Sequence, residues 1–257
     1  MANRNSQQHV VNEQFGERAD MYLRSVVHAQ GADLEAMVAL ARERPGGRVL
    51  DLGCGGGHVA LNVAPHAAEV VAYDLSAEML AVTQQAARER GLVHVTTQQG
   101  MVEALPFENA SFDLVLSRYS AHHWRDLPAA LGEARRVLRK GGIAGFVDAV
   151  APAVPWVDTY LQTIELLRDR SHVRNYAVTE WLGALERARF TAREAGRFRV
   201  RLDFASWVER MRTPTVLVDA IRELQRTVAV EVSDPLGTEA DGSFCLDVAL
   251  FRAEPVP

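Results

Sequence analysis

The sequence predicts a single α/β domain over residues 1–257, built on a largely parallel β-sheet. From Gly47 to Ala149, short apolar runs alternate with amphipathic segments, a pattern typical of successive strand–helix–strand units. One of these apolar runs leads directly into a glycine-rich turn at residues 53–57. Near the end of the chain, residues 244–251 alternate apolar and polar side chains, as a half-buried strand does.

The size and charge of the chain limit its function. Hydrophobic residues make up 48% of the sequence and charged residues 24%, which is ordinary for a soluble globular protein. The net charge of −5 argues against binding to nucleic acid or an anionic membrane through bulk charge. The first nineteen residues are polar, and no 18-residue stretch is free of charges and prolines. We therefore expect a cytoplasmic protein with no metal, no nucleic-acid partner and no stable membrane insertion.

Seven short segments are predicted to form strands. Their apolar residues follow one another or alternate, as expected of buried and half-buried strands. The segments are Arg48–Leu52, Glu69–Tyr73, Val93–Thr97, Phe112–Leu116, Ile143–Val147, Arg197–Leu202 and Phe244–Phe251.

Capping residues define the predicted helices. Ser76 is placed to cap a helix that Gly91 ends. Asp126 caps a later helix, which has Pro128 in its first turn. Lys140-Gly141-Gly142 is predicted to end that helix before the fifth strand. Helices are also predicted over residues 32–44, from about 58, over 157–167 and 179–188, and through most of 204–230.

The strongest chemical signal is the turn after the first strand, Val-Leu-Asp-Leu-Gly-Cys-Gly-Gly-Gly at residues 49–57. Glycines between a strand and a helix bring backbone N–H groups close to an anionic ligand. The spacing is Gly-x-Gly-x-Gly with Asp51 two residues before Gly53, whereas a nicotinamide dinucleotide fingerprint requires glycine at His58. Asp74 ends the second strand, where a carboxylate accepts hydrogen bonds from ribose hydroxyls. These features predict a nucleoside-binding pocket.

Four separated motifs resemble, in order, those of the class I S-adenosylmethionine-dependent methyltransferases, specifically the type 11 group that includes ubiquinone/menaquinone-biosynthesis enzymes. The motifs are VLDLGCGGG, VVAYDLSAEML, GMVEALPFENASFDLVLSRYSAHHW and ARRVLRKGGIAGFVD. The resemblance covers roughly residues 10–150. It implies a Rossmann-like, doubly wound, seven-stranded sheet with an antiparallel last strand and helical cap insertions, and S-adenosyl-L-methionine as the cofactor.

The resemblance also implies which residues bind the cofactor. The three alternate glycines would hold the methionyl end, Asp74 the ribose and Leu75 the adenine, while the Ser117 backbone would approach the amino-acid part. Tyr22 resembles an aromatic residue that closes over the cofactor, although a surface tyrosine is an alternative. The implied contacts are Tyr22, Asp51, Gly53, Gly55, Gly57, Asp74, Leu75, Met79, Met101, Val102 and Ser117.

The adenine loop departs from the family pattern. Many relatives have Gly-Asp-Ala-Glu where this chain has Gly-Met-Val-Glu at residues 100–103. Met101 therefore replaces the aspartate that accepts a hydrogen bond from the adenine amino group. The Val102 backbone N–H can still reach the ring.

Methyl transfer from a sulfonium centre requires mainly that donor and acceptor are held at attack distance. Such positioning lowers the activation barrier by about 7–11 kcal/mol in favourable cases. A base is needed only where the acceptor loses a proton. His122 and His123 follow the fourth strand and are the candidate catalytic residues. The alternative is that they serve the pocket wall or cap a helix.

The chain is expected to have an N-terminal helical arm at 1–45, a cofactor-binding core at 46–150, and a substrate cap at 151–180 and 203–235. The arm is predicted to be polar, with one helical turn at 19–27. The cap carries Trp156, Tyr160, Tyr176, Trp207 and Met211. These residues suit a small, partly apolar acceptor, but packing of the cap itself explains them equally well.

Other functions stay open on the sequence alone: a non-catalytic S-adenosylmethionine-binding scaffold or an NAD-dependent oxidoreductase. A nucleic-acid methyltransferase is disfavoured, because Ser-Arg-Tyr-Ser at 117–120 replaces the Asn/Asp-Pro-Pro-aromatic motif of the amino-methylating enzymes. The arginines between residues 193 and 212 either hold an anionic substrate or form a solvated strand face. The favoured interpretation is methyl transfer to a small-molecule acceptor by a monomer or a homodimer.

Overall fold

The structure of the protein is a computed structural model that describes residues 6–16 and 31–256. Its centre is a seven-stranded sheet in the order β3-β2-β1-β4-β5-β7-β6. The strands are β1 Gly47–Leu52, β2 Ala67–Asp74, β3 Val95–Gln99, β4 Phe112–Arg118, β5 Leu138–Ala149, β6 Phe190–Leu202 and β7 Phe244–Pro255. Strands β1 to β5 are parallel, and β7 runs antiparallel to both β5 and β6. The predicted Rossmann-like α/β fold with an antiparallel last strand is confirmed.

Helices cover both faces of the sheet. They are α1 Gln7–Gly16, α2 Ala32–Arg42, α3 His58–Val63, α4 Ala77–Glu89, α5 Leu127–Val137, α6 Pro155–Arg168, α7 Val178–Arg187, α8 Phe204–Arg210, α9 Thr215–Thr227 and α10 Val230–Ser233. Met37, Val63 and Leu80, from α2, α3 and α4, belong to the apolar cluster on one face. Leu131 and Trp181, from α5 and α7, belong to the cluster on the other. Within the described ranges, no helix has the length and apolar character needed to cross a membrane.

The strand order places a crevice at one edge of the sheet. From β1, the chain passes to β2 and β3 on one side and then returns to β4 on the other. The connections that leave the carboxyl ends of β1 and β4 therefore lead to helices on opposite faces of the sheet, α3 and α5. This is a topological switch point, where open α/β sheets bind ligands. The glycine turn, Asp74 and the segment after Arg118 meet at this edge.

A separate apolar cluster lies where α6, α8 and α9 pack against the ends of β6 and β7. Tyr160 and Trp207 are buried in it, whereas Trp156 is 63% exposed. Tyr160 and Trp207, two of the aromatic residues predicted for the cap, therefore pack in the cap's own core.

Three local expectations differ from the structure. Strand β5 begins at Leu138, because this residue already pairs with β4. The strand therefore includes Lys140-Gly141-Gly142, which were expected to precede it. The predicted helix over 204–230 is interrupted at Pro214, which lacks an N–H and disfavours helical backbone before it. Within the predicted N-terminal helical arm, residues 7–16 form a helix, whereas the sequence predicted a helical turn only at 19–27.

The arginines of β6 lie on an exposed strand face. Arg197, Arg199 and Arg201 form ion pairs with Glu194, Asp247 and Glu239, respectively. These pairs favour the alternative of a solvated face over an anion-binding site.

Candidate active site

The glycine turn after β1 depends on glycine for two reasons. Gly53, Gly55 and Gly57 all have positive φ angles, of 65°, 50° and 80°, which L side chains rarely adopt. In addition, a Cβ at Gly53 would overlap the Ser120 side chain, and one at Gly57 would overlap Thr83 of α4. At Gly55 a Cβ would meet only open space. The turn thus packs closely against α4 and the segment after β4 and leaves room above Gly55.

Asp74 organises the same turn. Its Oδ2 accepts a hydrogen bond from the Gly55 N–H at 2.8 Å, and its Oδ1 accepts one from the Ser76 N–H at 2.9 Å. Burial raises the pKa of Asp74, although these backbone donors oppose the shift. An ionised carboxylate has about four lone-pair sites, so Asp74 can also accept hydrogen bonds from a ligand.

Asp51 is a second carboxyl group beneath the turn, and it is 1% exposed. Its Oδ2 accepts a hydrogen bond from the Ala60 N–H in α3 at 2.9 Å. Burial is the main reason that the pKa of Asp51 is raised to about 7; the Ala60 N–H and the Arg118 charge oppose the shift, and the Asp74 charge adds to it. A ligand cation beside Asp51 would favour its charged form.

A cavity lies over this turn and brings most of the predicted cofactor contacts together. We call it the first cavity. Those that line it are Asp51, Gly53, Gly55, Asp74, Leu75, Met79, Met101 and Val102. Gly57 and Ser117 do not line it: Gly57 precedes α3, and Ser117 is buried in β4 opposite Phe146. Tyr22 and the predicted helical turn at 19–27 lie outside the described residues.

The first cavity also contains residues that the sequence did not single out. Arg118 and Tyr119 line it, and the Arg118 guanidinium lies 4.7 Å from the centre of the Tyr119 ring. Arg118 Nε is 2.6 Å from Asp33 Oδ2, in α2. Arg118 ends a central strand at the switch point. This position in the sequence was the signal that could have identified Arg118 as a residue of the ligand pocket. Arg118 and Asp51 place a positive and an ionisable acidic group among the charged residues of the cavity, which also include Asp74, Glu103 and Arg125. Such a mixture of charges suits an amino-acid zwitterion.

His122 forms a hydrogen-bonded pair with Asp148. Its Nδ1 lies 2.6 Å from Asp148 Oδ1, and its backbone N–H donates to Asp148 Oδ2 at 3.2 Å. Asp148 is 1% exposed near the end of β5. Burial acts to lower the pKa of His122, but the Asp148 carboxylate, together with Glu165 and Asp169, outweighs it and the pKa is raised. A carboxylate at Nδ1 favours a proton there, which leaves the lone pair of the neutral ring on Nε2.

His123 has different surroundings. Its Nδ1 is 3.2 Å from the Ser171 carbonyl oxygen, and its Nε2 is 3.9 Å from Asp169 Oδ2. Burial and the neighbouring His122 lower the pKa of His123 to about 4. The ring is therefore neutral near pH 7 and a weaker base than His122.

A second cavity lies beside the first, and Tyr119 and His123 line both. It also contains His122 and residues of the cap, including Trp207. The base candidates thus lie between the glycine turn and the cap.

The residues of the first cavity fit S-adenosylmethionine. Open space above Gly55 admits a ligand close to the backbone, Asp74 suits ribose hydroxyls, and the buried Asp51 carboxyl suits a cation. Leu75, Met79 and Met101 supply apolar surface. Among residues 6–16 and 31–256, no three His, Cys, Asp or Glu side chains are grouped so as to hold a metal ion.

Comparison with known proteins agrees with this geometry. Residues 50–146 match the family model described as a methyltransferase domain. The chain is 47% identical over 197 residues to YafE of Escherichia coli, covering 77% of this chain and 95% of YafE. It is 35% identical over 232 residues to the methyltransferase YcgJ of Bacillus subtilis, covering 90% of this chain and 88% of YcgJ. The crystal structure of YcgJ superimposes with a TM-score of 0.84 at 33% identity, over 88% of this chain and 98% of that one. The chain therefore belongs to the class I methyltransferases of the type 11 group, whose cofactor is S-adenosylmethionine.

Proposed function

We propose that the protein transfers a methyl group from S-adenosylmethionine to a small-molecule acceptor that binds in the second cavity. The observation that carries this proposal is that Tyr119 and His123 line both cavities, so that cofactor and acceptor would meet across one boundary. The second cavity is lined by residues of several elements, including Glu165 of α6, Trp207 of α8 and Val248 of β7, and a concave site of this kind favours a small acceptor over a polymer.

In this proposal, the first cavity holds the cofactor through residues at the strand ends. Asp74 binds the ribose, Asp51 the amino group, and Arg118 the carboxylate. The cofactor supplies a methyl group on a positively charged sulfur. His122 Nε2 takes the proton that the acceptor loses, while Asp148 holds the imidazole in the required tautomer and stabilises its charged form.

A non-catalytic scaffold or an NAD-dependent oxidoreductase would use the same fold. His58 stands where the nicotinamide fingerprint requires glycine, and the hydrogen-bonded His122–Asp148 pair supplies a base that a scaffold does not require. Calorimetry with S-adenosylhomocysteine and with NAD distinguishes the proposed methyltransferase from an NAD-dependent oxidoreductase. We expect S-adenosylhomocysteine to bind and NAD not to bind; tighter binding of NAD would contradict the proposal.

The Met101→Asp variant is expected to bind S-adenosylhomocysteine as well as, or modestly better than, the parent protein. An aspartate would accept a hydrogen bond from the adenine amino group, a gain of about 1.5–3 kcal/mol. The loss of a methionine–aromatic contact costs about 0.3–1.5 kcal/mol. The backbone should keep its position, because the Met101 carbonyl oxygen accepts a hydrogen bond from the Tyr73 hydroxyl. Calorimetry measures the change, with Met101→Leu as the control; an affinity loss of about tenfold or more in a folded Met101→Asp variant would mean that Met101 packs in an apolar adenine pocket.

Affinity for S-adenosylhomocysteine is expected to rise about tenfold from pH 6 to pH 8, since the pKa of Asp51 is raised to about 7. Below this pKa the carboxyl is neutral, so the ligand's ammonium group must first displace a proton. Above it the charged form is already present. Calorimetry across this pH range tests the expectation, and the Asp51→Asn variant should flatten the profile because its amide oxygen still accepts from Ala60 but does not titrate. An equally steep profile in the variant would assign the titration to another group.

A further inference from the structure

The second cavity has one largely apolar wall. Strands β6 and β7 and helix α8 provide it, and its members are Val200, Leu202, Trp207, Leu246 and Val248. Such a wall suits the hydrocarbon part of a ligand and offers no hydrogen-bonding side chain apart from the Trp207 indole.

The same cavity also contains charged groups that are balanced in number, and one of them, Arg168, lies 4.9 Å from the centre of the Trp207 ring. Among the described residues that line the cavity, the guanidinium groups of Arg168 and Arg210 are matched by the carboxyl groups of Glu165 and Asp169. Arg168 Nη1 lies 3.5 Å from Glu165 Oε2, and the Arg168 charge opposes the rise that burial causes in the pKa of Glu165. A ligand with a net charge would upset this balance in a poorly hydrated site, which is unfavourable.

Asn175 also lines this cavity, and it carries a buried donor. The residue is 2% exposed, and within the described part of the chain its Nδ2 has no hydrogen-bond partner. Its backbone is held on both sides by Gln162, which accepts from the Asn175 N–H at 3.1 Å and donates to the Asn175 carbonyl at 2.8 Å. His172 Nε2 lies 2.9 Å from the Gln162 amide oxygen. A buried amide donor on a fixed backbone is expected to bind an acceptor oxygen from a ligand.

We propose, resting on the function proposed above, that the methyl acceptor is an uncharged, mainly apolar molecule that carries a hydroxyl group and a carbonyl oxygen. The carbonyl oxygen accepts a hydrogen bond from Asn175 Nδ2, and the hydrocarbon part packs on the wall of β6 and β7. The hydroxyl is the reacting group. Its oxygen forms the bond to the methyl carbon with a lone pair, the carbon–sulfur bond breaks with its electrons left on sulfur, and the hydroxyl proton passes to His122 Nε2. The products are a methyl ether and S-adenosylhomocysteine.

Binding of simple probes tests this assignment without turnover. The probes are the three isomers of hydroxyacetophenone, which are neutral and carry both oxygens at different spacings. Their comparators are the hydroxybenzoates and hydroxybenzylamines with the same ring positions, which carry a negative and a positive charge. In calorimetry with saturating S-adenosylhomocysteine, we expect at least one hydroxyacetophenone to bind about tenfold or more tightly than both of its comparators.

Two variants locate the binding site. Asn175→Ala should weaken the best neutral probe by about tenfold and leave S-adenosylhomocysteine affinity unchanged, whereas Asn109→Ala, at an exposed asparagine, should change neither. Val200→Phe fills the cavity from the apolar wall and should abolish probe binding, which keeps the test decisive if Asn175→Ala fails to fold.

The outcomes separate the two proposals. Failure to bind S-adenosylhomocysteine would overturn the proposed function and this inference with it. Normal S-adenosylhomocysteine binding would overturn this inference alone if it came with preference for a charged probe, with no binding of any neutral probe, or with probe binding that Val200→Phe leaves intact.

Discussion

Methyl transfer by the His122→Asn variant is expected to be slower by about 10²- to 10⁴-fold in kcat, the usual contribution of a positioned general base. The variant loses the Nε2 lone pair. The asparagine amide can still donate to Asp148, which accepts from His122 Nδ1 at 2.6 Å in this structure, so the fold should be kept. The measurement is the rate of labelled product formation from methyl-labelled cofactor.

Two controls accompany this variant. Its affinity for S-adenosylhomocysteine should match that of the parent, since His122 lines the second cavity and not the first. His123→Asn should cost less in kcat, because a base whose pKa is lowered to about 4 is poorly matched to neutral pH. A His122→Asn variant with the parent's kcat, or a larger loss at His123, would show that His122 is not the base.

The Asp74→Ala variant is expected to bind S-adenosylhomocysteine more weakly by about 1.5–3 kcal/mol, or roughly 10- to 150-fold. The variant removes the acceptor for the ribose hydroxyls. It also leaves the Gly55 and Ser76 N–H groups without the carboxylate oxygens that they now bind at 2.8 and 2.9 Å, which should loosen the glycine turn. Calorimetry gives the dissociation constant and thermal melting reports on the fold.

Glu69→Ala is the matched control for Asp74→Ala, because Glu69 lies on the same strand but pairs with Arg48 and does not line the first cavity. It should leave the affinity unchanged. If Asp74→Ala also binds with the parent's affinity and melts normally, the ribose is held elsewhere.

The first cavity was largely predictable because its residues follow local rules. A strand, a glycine turn and a helix are consecutive in sequence, and the acid at the next strand end follows at a fixed spacing. Gly57 and Ser117 show the limit of prediction from sequence spacing, because neither of them lines the first cavity. Gly57 serves close packing against Thr83 and Ser117 serves the sheet, and sequence spacing cannot separate packing roles from ligand contacts.

The second cavity was not predictable in the same way. His122 and Asp148 are 26 residues apart and meet because β4 and β5 are neighbours. Asn175 and Val200 come from segments with no recognisable motif, and only tertiary packing brings them together. The predicted start of β5 was wrong for a related reason. Pairing with β4 extends β5 back through Gly141, although glycine usually ends a helix and weakens a strand.

Methyl transfer from S-adenosylmethionine to a small molecule is the function that we propose for this protein. The most direct test is incubation with methyl-labelled cofactor and a whole-cell extract, followed by separation of the label into metabolite, protein and nucleic-acid fractions. We predict that the label enters the metabolite fraction, and that the His122→Asn variant transfers it far more slowly. Label confined to protein or nucleic acid, or no transfer by a protein that binds S-adenosylhomocysteine normally, would contradict the proposed function.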